Sequence, residues 1–270
     1  MPYIPGRKRP NAEEEDDEPK KKPVSEKADD LDLLKLRKSY KELSEAHKQI
    51  RESHVEMILN LAIAAEYKDP DTGNHILRIS DYATAIAAAL SLSKDQIEHL
   101  RYASPMHDIG KIGIPDKILQ KPGKLTPEEW VLMKQHTLIG ARMFQSSKSP
   151  LLKAAADIAR THHEKYDGSG YPAGLKGKDI PLFGRITAMA DVFDAIVSKR
   201  CYKKADSFDQ GMAYIESLSG THMDPDIVRI FLKSEKNIRK IYDANLSIQK
   251  YIEEAQNEIS DVSNVADMGI

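Results

Sequence analysis

The chain of 270 residues has one cysteine, Cys201, so a disulfide framework is excluded and a reducing compartment fits. Aromatic residues are scarce, at 6%, which argues against an aromatic-rich β-sandwich. Long apolar runs are missing: the least polar stretch, around Tyr82 to Leu92, is alanine-rich and far short of a membrane span. There is no surplus of positive charge either. Forty basic residues stand against 42 acidic ones, a formal net charge of −2, which disfavours DNA or RNA binding by the chain as a whole. Residues 1–27 are charged and lack the apolar segment of a secretory signal, so a soluble, cytoplasmic protein with no membrane span is expected.

What is present points to helices. Hydrophobic residues make up 40% and charged residues 30%, enough to build a core in one large domain or two small ones. Residues 1–27 carry Arg7, Lys8 and Arg9, an acidic run from Glu13 to Glu18, and Lys20 to Lys22; with almost nothing apolar to bury, they are expected to be a disordered tail. From residue 28 to about residue 60 a heptad pattern sets in. Leu36, Leu43, Ile50 and Met57 recur every seven residues, interleaved with Leu33, Tyr40, His47, His54 and Leu61. This predicts an amphipathic, coiled-coil-like helix, with homodimerisation through residues 31–61 or packing against its own domain as the alternatives. Further helices are expected over His75 to Leu90, Lys94 to Ile109, Thr126 to Phe144, Leu151 to His163, Pro181 to Val197, Asp206 to Leu218 and Pro225 to Tyr242. Thr126-Pro127-Glu128-Glu129 reads as a capping box with proline at the first helical position. Residues 246–270 are expected to be a helix end and tail.

The placement of histidine carries the chemical signal. His75, the pair His107-Asp108, His136, the pair His162-His163 and Asp191 follow one another at gaps of 26 to 32 residues, about one helix and one loop each. Successive helices of a bundle would thus each bring one or two ligands to a common point. Five imidazoles with carboxylates suit Fe, Mn, Zn, Co or Ni rather than Mg or Ca alone, and seven ligands are too many for one tetrahedral zinc. Adjacent helical residues diverge by about 100°, so the two pairs suit two metals more readily than one. The remaining histidines, His47, His54, His99 and His222, are given no such role.

His107-Asp-Ile-Gly-Lys111 followed by His162-His-Glu-Lys-Tyr-Asp-Gly-Ser-Gly-Tyr-Pro172 closely resembles the HD-GYP family, the cyclic di-GMP phosphodiesterase branch of the HD-domain metal-dependent phosphohydrolases. The likeness extends to Asp69-Pro-Asp-Thr-Gly-Asn-His75, to Asp191-Val-Phe-Asp194 and to Arg200-Cys-Tyr-Lys203. It implies an all-α HD-domain bundle over residues 61–245, around a bi- or trinuclear metal centre and preceded by the long helix. It implies hydrolysis of cyclic di-GMP to pGpG or GMP by a hydroxide bridging the metals, with the mixed cyclic GMP–AMP or another nucleotide as alternative substrates. A non-catalytic module that binds cyclic dinucleotide or partner is the remaining alternative. The metals implied are two or three transition ions, Fe foremost and Mn next.

By the same resemblance the metal ligands are His75, His107, Asp108, His136, His162, His163 and Asp191, with Asp71 standing where relatives carry a glutamate for a third metal. His107, Asp108 and Lys111 are implied to be catalytic; Lys111, Arg200, Lys203 and Tyr171 are implied to contact substrate. Lys111 has a salt bridge with Asp69 as its structural alternative. Asp194 is expected to support a histidine ligand from behind, and Arg78 either to pair with such a carboxylate or to lie on the surface. Tyr171 either meets substrate or plugs the site, within a loop that Gly168, Gly170 and Pro172 shape. A diguanylate cyclase or other signalling partner is implied for this loop. Glu164 is expected to be structural.

Overall fold

The computed structural model describes residues 26–66, 68, 74–198 and 205–246. Asp69, Asp71, Arg200, Cys201 and Lys203, and most of both expected tails, lie outside them. No β-strand occurs among the described residues, only an isolated bridge between Ser219 and Met223. The helices are α1 (Glu26–Glu66), α2 (Asn74–Ala89), α3 (Lys94–Ala103), α4 (Asp116–Leu119), α5 (Pro127–Met133), α6 (Gln135–Phe144), α7 (Pro150–Thr161), α8 (Leu182–Val197), α9 (Phe208–Ser217) and α10 (Pro225–Lys233), followed by α11 over 235–246. No helix among the described residues is long and apolar enough to cross a membrane.

The chain divides into two compact units, Met1–Glu52 and Ser53–Ile270. In the first, α1 presents Leu33, Leu36, Tyr40, Leu43 and Ile50 to solvent. In the second, the end of α1 buries Ala62 and Ala65 in a core with Ile76, Ile79, Tyr82 and Ile86 of α2, Leu100 of α3, Ile158 of α7, and Ile186, Met189 and Phe193 of α8. The aromatic centre of that core is Phe193, whose ring meets Tyr82 at 5.2 Å, Phe231 at 5.0 Å and Phe208 at 5.7 Å, all near-perpendicular. Each buried Ile, Leu, Met or Phe side chain among these contributes about 1.5–3 kcal/mol by leaving water.

Three of the expected helices are interrupted: Pro225 to Tyr242 at Ser234, and two others beside ligand positions. The helix expected over Lys94 to Ile109 ends at Ala103 and passes into a 3-10 turn, Ser104–Met106. Pro105 has no N–H to give the carbonyl of Arg101, as an α-helix would require; the Ser80 hydroxyl donates to that carbonyl instead, at 2.7 Å. A second 3-10 turn, Ile109–Gly113, follows directly. His107 and Asp108 therefore sit at the junction of two tight turns and not on a helix. The helix capped by Thr126 splits at Lys134 into α5 and α6. Its capping box forms as expected, with Thr126 and Glu129 each bonding the other's backbone N–H.

Gly110 fixes how these segments meet. A Cβ there would stand 1.9 Å from the His136 carbonyl oxygen and 2.5 Å from the Gly140 nitrogen. Only a residue without a side chain lets the 3-10 turn lie flat on α6. That contact brings His136 up to His107 and Asp108.

Candidate metal centre

The structure brings all seven expected ligands into two adjoining groups. Asp108, His136, His162 and His163 form one, and His75, His107 and Asp191 the other, with the donor atoms of each group within 4.8 Å of one another. The adjacent pair His107-Asp108 divides between the groups, as the divergence of neighbouring side chains suggested. His162 and His163 do not divide: their rings lie 4.0 Å apart in the same group. The rings of His107 and His162, one from each group, are 5.1 Å apart.

Four of the imidazoles are oriented by one device. His107 Nδ1 faces the Ser104 carbonyl at 3.0 Å, His136 Nδ1 the Met133 carbonyl at 2.8 Å, and His162 Nδ1 the carbonyls of Ile158 and Ala159 at 3.1 Å. A carbonyl can only accept, so each Nδ1 carries the proton and donates it. In the neutral ring this tautomer leaves Nε2 as a lone pair, the form a metal requires. His75 Nδ1 uses a carboxylate for the same purpose, donating to Asp194 Oδ2 at 2.7 Å, while its Nε2 lies 3.5 Å from Asp191 Oδ1.

Asp194, wholly buried, is held in turn by Arg78, through Nε at 2.6 Å and a terminal nitrogen at 2.9 Å, and by the Ser198 hydroxyl at 3.1 Å. Arg78 is thus the partner of the supporting carboxylate, not a surface residue. Burial works against a charge on Asp194, yet the hydrogen bonds from His75 and Arg78 prevail and hold its pKa at about 2. Asp191 and Asp194 sit three residues apart on one face of α8, so one helix supplies both the ligand and the support of its neighbour.

Asp108 is the hinge of the first group. Its Oδ1 lies 3.2 Å from His136 Nε2 and 3.3 Å from His162 Nε2, and its Oδ2 3.4 Å from His107 Nε2 and 2.8 Å from Lys111 Nζ. Asp108, three residues earlier on the 3-10 turn, is thus one partner of Lys111; Asp69 lies outside the described residues. Burial opposes ionisation of Asp108, but the Lys111 ammonium beside it, with neighbouring His107, keeps its carboxyl well below the usual range. Burial lowers the affinity of His162 and His163 for protons, and the neighbouring histidines add to the effect while Asp108 opposes it.

This arrangement fits a transition metal. Among the described residues, Asp108 Oδ1 and the Nε2 atoms of His136 and His162 are buried without a well-formed hydrogen bond, all turned toward one point. Such atoms cost about 1–3 kcal/mol each if nothing meets them. Imidazole nitrogens with carboxylate oxygens are the donor set of Zn, Mn, Fe, Co and Ni.

The loop after His163 closes over the first group. Glu164, 2% exposed, accepts the backbone N–H of Ala173 at 2.7 Å and of Leu175 at 3.0 Å, so it clamps the loop from beneath. Asp167 accepts from the Ser169 N–H at 2.8 Å, and Gly168 has φ +87°. A Cβ at Gly170 would meet Lys165 N at 2.3 Å and the His163 carbonyl at 2.6 Å, which no side chain tolerates. The Tyr171–Pro172 peptide is cis. The Tyr171 ring rests 4.8 Å from that of His163 and 6.4 Å from that of His136. Burial pushes its phenol well above the usual range, and the charge of Asp108 pushes the same way, so Tyr171 stays protonated. Beside it stand two residues that sequence reasoning passed over, Trp130 at 6.3 Å and Lys134, whose Nζ lies 5.2 Å from the Tyr171 ring.

Comparison with known proteins agrees with this geometry. Residues 33–227 match the family described as HD domain. The chain is 49% identical over 187 residues to a cyclic di-GMP phosphodiesterase of Thermotoga maritima, covering 69% of this chain and 51% of the relative. It is 44% identical over 184 residues to a 3'3'-cGAMP-specific phosphodiesterase 2 of Vibrio cholerae, covering 68% of this chain and 35% of the relative. It thus spans about half or less of the length of these curated relatives. The crystal structure of a cyclic GMP-AMP specific phosphodiesterase of V. cholerae superposes with a TM-score of 0.55 at 20% identity, over 72% of this chain and 53% of that one, and shares the fold. With the His-Asp pair at the centre of a helical bundle and the match running over most of its length, the chain belongs to the HD-domain family.

Proposed function

We propose that the chain is a metal-dependent phosphodiesterase that hydrolyses cyclic di-GMP to pGpG, GMP or both. The observation that carries this is the pair of adjoining ligand groups, His75–His107–Asp191 and Asp108–His136–His162–His163, spanned by the adjacent residues His107 and Asp108. Two transition ions held there, Fe or Mn before Zn, Co or Ni, would lower the proton affinity of a water and draw charge from a phosphodiester.

The chain's own residues prepare that site. Four imidazoles donate from Nδ1 and present Nε2 inward, so the ring orientation that a cation needs is set in advance. Asp108 is ionised, and Lys111 holds an ammonium 2.8 Å from it, a positive charge at the rim where phosphoryl oxygens would lie. Tyr171 shields His163 from water on one side and, kept protonated, can donate a hydrogen bond to an anionic oxygen. Arg200 and Lys203 are assigned to phosphate binding by family resemblance, and Asp71 to a third metal with Asp69 beside it. The soluble setting proposed is the cytoplasm; the exposed seam from Leu33 to Leu61 is proposed to pair with a second copy or a partner protein, and the loop of Gly168, Gly170 and Pro172 to meet a diguanylate cyclase or other signalling partner.

A specific observation keeps a second reading in view: one relative at 44% identity is named for 3'3'-cGAMP. The test is anaerobic incubation of Mn(II)- or Fe(II)-loaded protein with cyclic di-GMP and, separately, the mixed dinucleotide, with products resolved by chromatography. Faster turnover of cyclic di-GMP supports the first reading. Faster turnover of the mixed compound replaces it with the second.

A further inference from the structure

The helix α5 contributes nothing to the core. None of its residues is buried, and Trp130, Val131 and Leu132 are 43%, 59% and 49% exposed. Yet it is well made, with a complete capping box and proline at its start, and it carries the chain's one tryptophan. An exposed indole on a rigid, coreless helix calls for a reason beyond folding.

Its neighbours supply one. A row of rings leads outward from the metal ligands: His163 to Tyr171 at 4.8 Å, then Tyr171 to Trp130 at 6.3 Å, edge to face. Lys134 stands over both outer rings, with Nζ 5.2 Å from Tyr171 and 5.9 Å from Trp130. The row starts at the site proposed for the scissile phosphate and ends in solvent. A nucleotide whose phosphate lay on the ligands would carry its base along it.

Resting on the phosphodiesterase reading above, we propose that Trp130 and Lys134 form a base platform, on which one guanine of the dinucleotide stacks against the indole. Aromatic rings bind any base by its face, and an ammonium distinguishes among them by edge. Guanine presents two acceptors, O6 and N7, where adenine presents N7 and an N6 donor. Lys134, which can only donate, complements guanine. Stacking of this kind is worth about 1–3 kcal/mol per base, or roughly five- to 150-fold in affinity.

Because Trp130 is the one tryptophan, its emission reports the contact directly. The test is stopped-flow mixing of the Mn(II)-loaded full chain with cyclic di-GMP, following indole fluorescence before product forms. Inorganic phosphate and cyclic di-AMP serve as controls. The platform predicts saturable quenching by cyclic di-GMP, weaker quenching by cyclic di-AMP and none by phosphate. Trp130→Ala should raise KM about tenfold or more with a much smaller change in kcat, and Trp130→Phe should recover part of the loss. Lys134→Met should narrow the preference for cyclic di-GMP over cyclic di-AMP. Turnover with unchanged emission, and a Trp130→Ala KM equal to that of the parent, would overturn the platform and leave the phosphodiesterase reading standing; the exposed patch would then be a protein-docking face. Neither binding nor turnover of any cyclic dinucleotide, with two metals bound, would overturn both.

Discussion

His75 and Asp194, 119 residues apart in sequence, share a hydrogen bond of 2.7 Å that fixes which nitrogen of the imidazole faces the cluster. Asp194→Asn keeps the shape but loses the carboxylate that makes Nδ1 a donor. The expected outcome is a 10- to 100-fold loss of affinity for the metal held by His75, His107 and Asp191, with the other group little changed. Metal titration against a competing chelator would resolve the two. Asp194→Ala would also leave Arg78 without its counter-charge, at a cost of about 3–5 kcal/mol to folding, readable in urea denaturation.

Gly110→Ala tests the junction between the 3-10 turn and α6. With the His136 carbonyl 1.9 Å from the new Cβ, the two segments must separate. The expected loss is about 1–3 kcal/mol of stability, accompanied by weaker metal binding, because His136 no longer reaches Asp108. A variant that kept full metal content would show that this contact does not set the site.

Glu164 holds both Ala173 and Leu175 from below by accepting their backbone N–H groups. Glu164→Ala leaves two backbone N–H groups unmet, about 1–3 kcal/mol each where they stay dry. The loop from Lys165 to Lys176 should then be cut faster by a protease of broad specificity, while the bundle itself stays resistant. Equal cleavage rates in the two proteins would contradict the clamp.

The carboxyl of Asp81 gives a pH signature away from the cluster. Partial burial raises its pKa above the ordinary value, and the opposing attraction of Arg101 does not cancel the effect. A raised carboxyl is neutral in both folded and unfolded chains at low pH, and its charge costs stability as pH rises through the folded value. Asp81→Asn should therefore raise the melting temperature at pH 7, and the gain over the parent should vanish below about pH 3.8. A gain that persisted at low pH would assign the effect to packing.

The ligand spacing was legible because each ligand falls one helix and one loop from the next, and a bundle returns every helix to the same centre. The capping box at Thr126 was legible for a local reason, since both of its partners lie within four residues. The break before His107 was not drawn from the sequence, although Pro105 signals it. What rescues the break is Ser80, on another helix, and no local pattern shows that. Asp108 meets Lys111 because a 3-10 turn stacks residues three apart, a register that no local motif announces. Trp130 and Lys134 were passed over for want of any motif. The available signal was a lone tryptophan in a short, charged, proline-started helix.

The central claim is that two ions in adjoining ligand groups act together on a cyclic dinucleotide. Its most direct test is a single-turnover assay of cyclic di-GMP cleavage at zero, one and two equivalents of Mn(II), without oxygen, alongside Asp108→Ala. The account predicts little product below one equivalent, a steep rise to pGpG or GMP as the second binds, and none from the variant. Two ions bound per chain with neither cyclic di-GMP nor the mixed dinucleotide cleaved would contradict it.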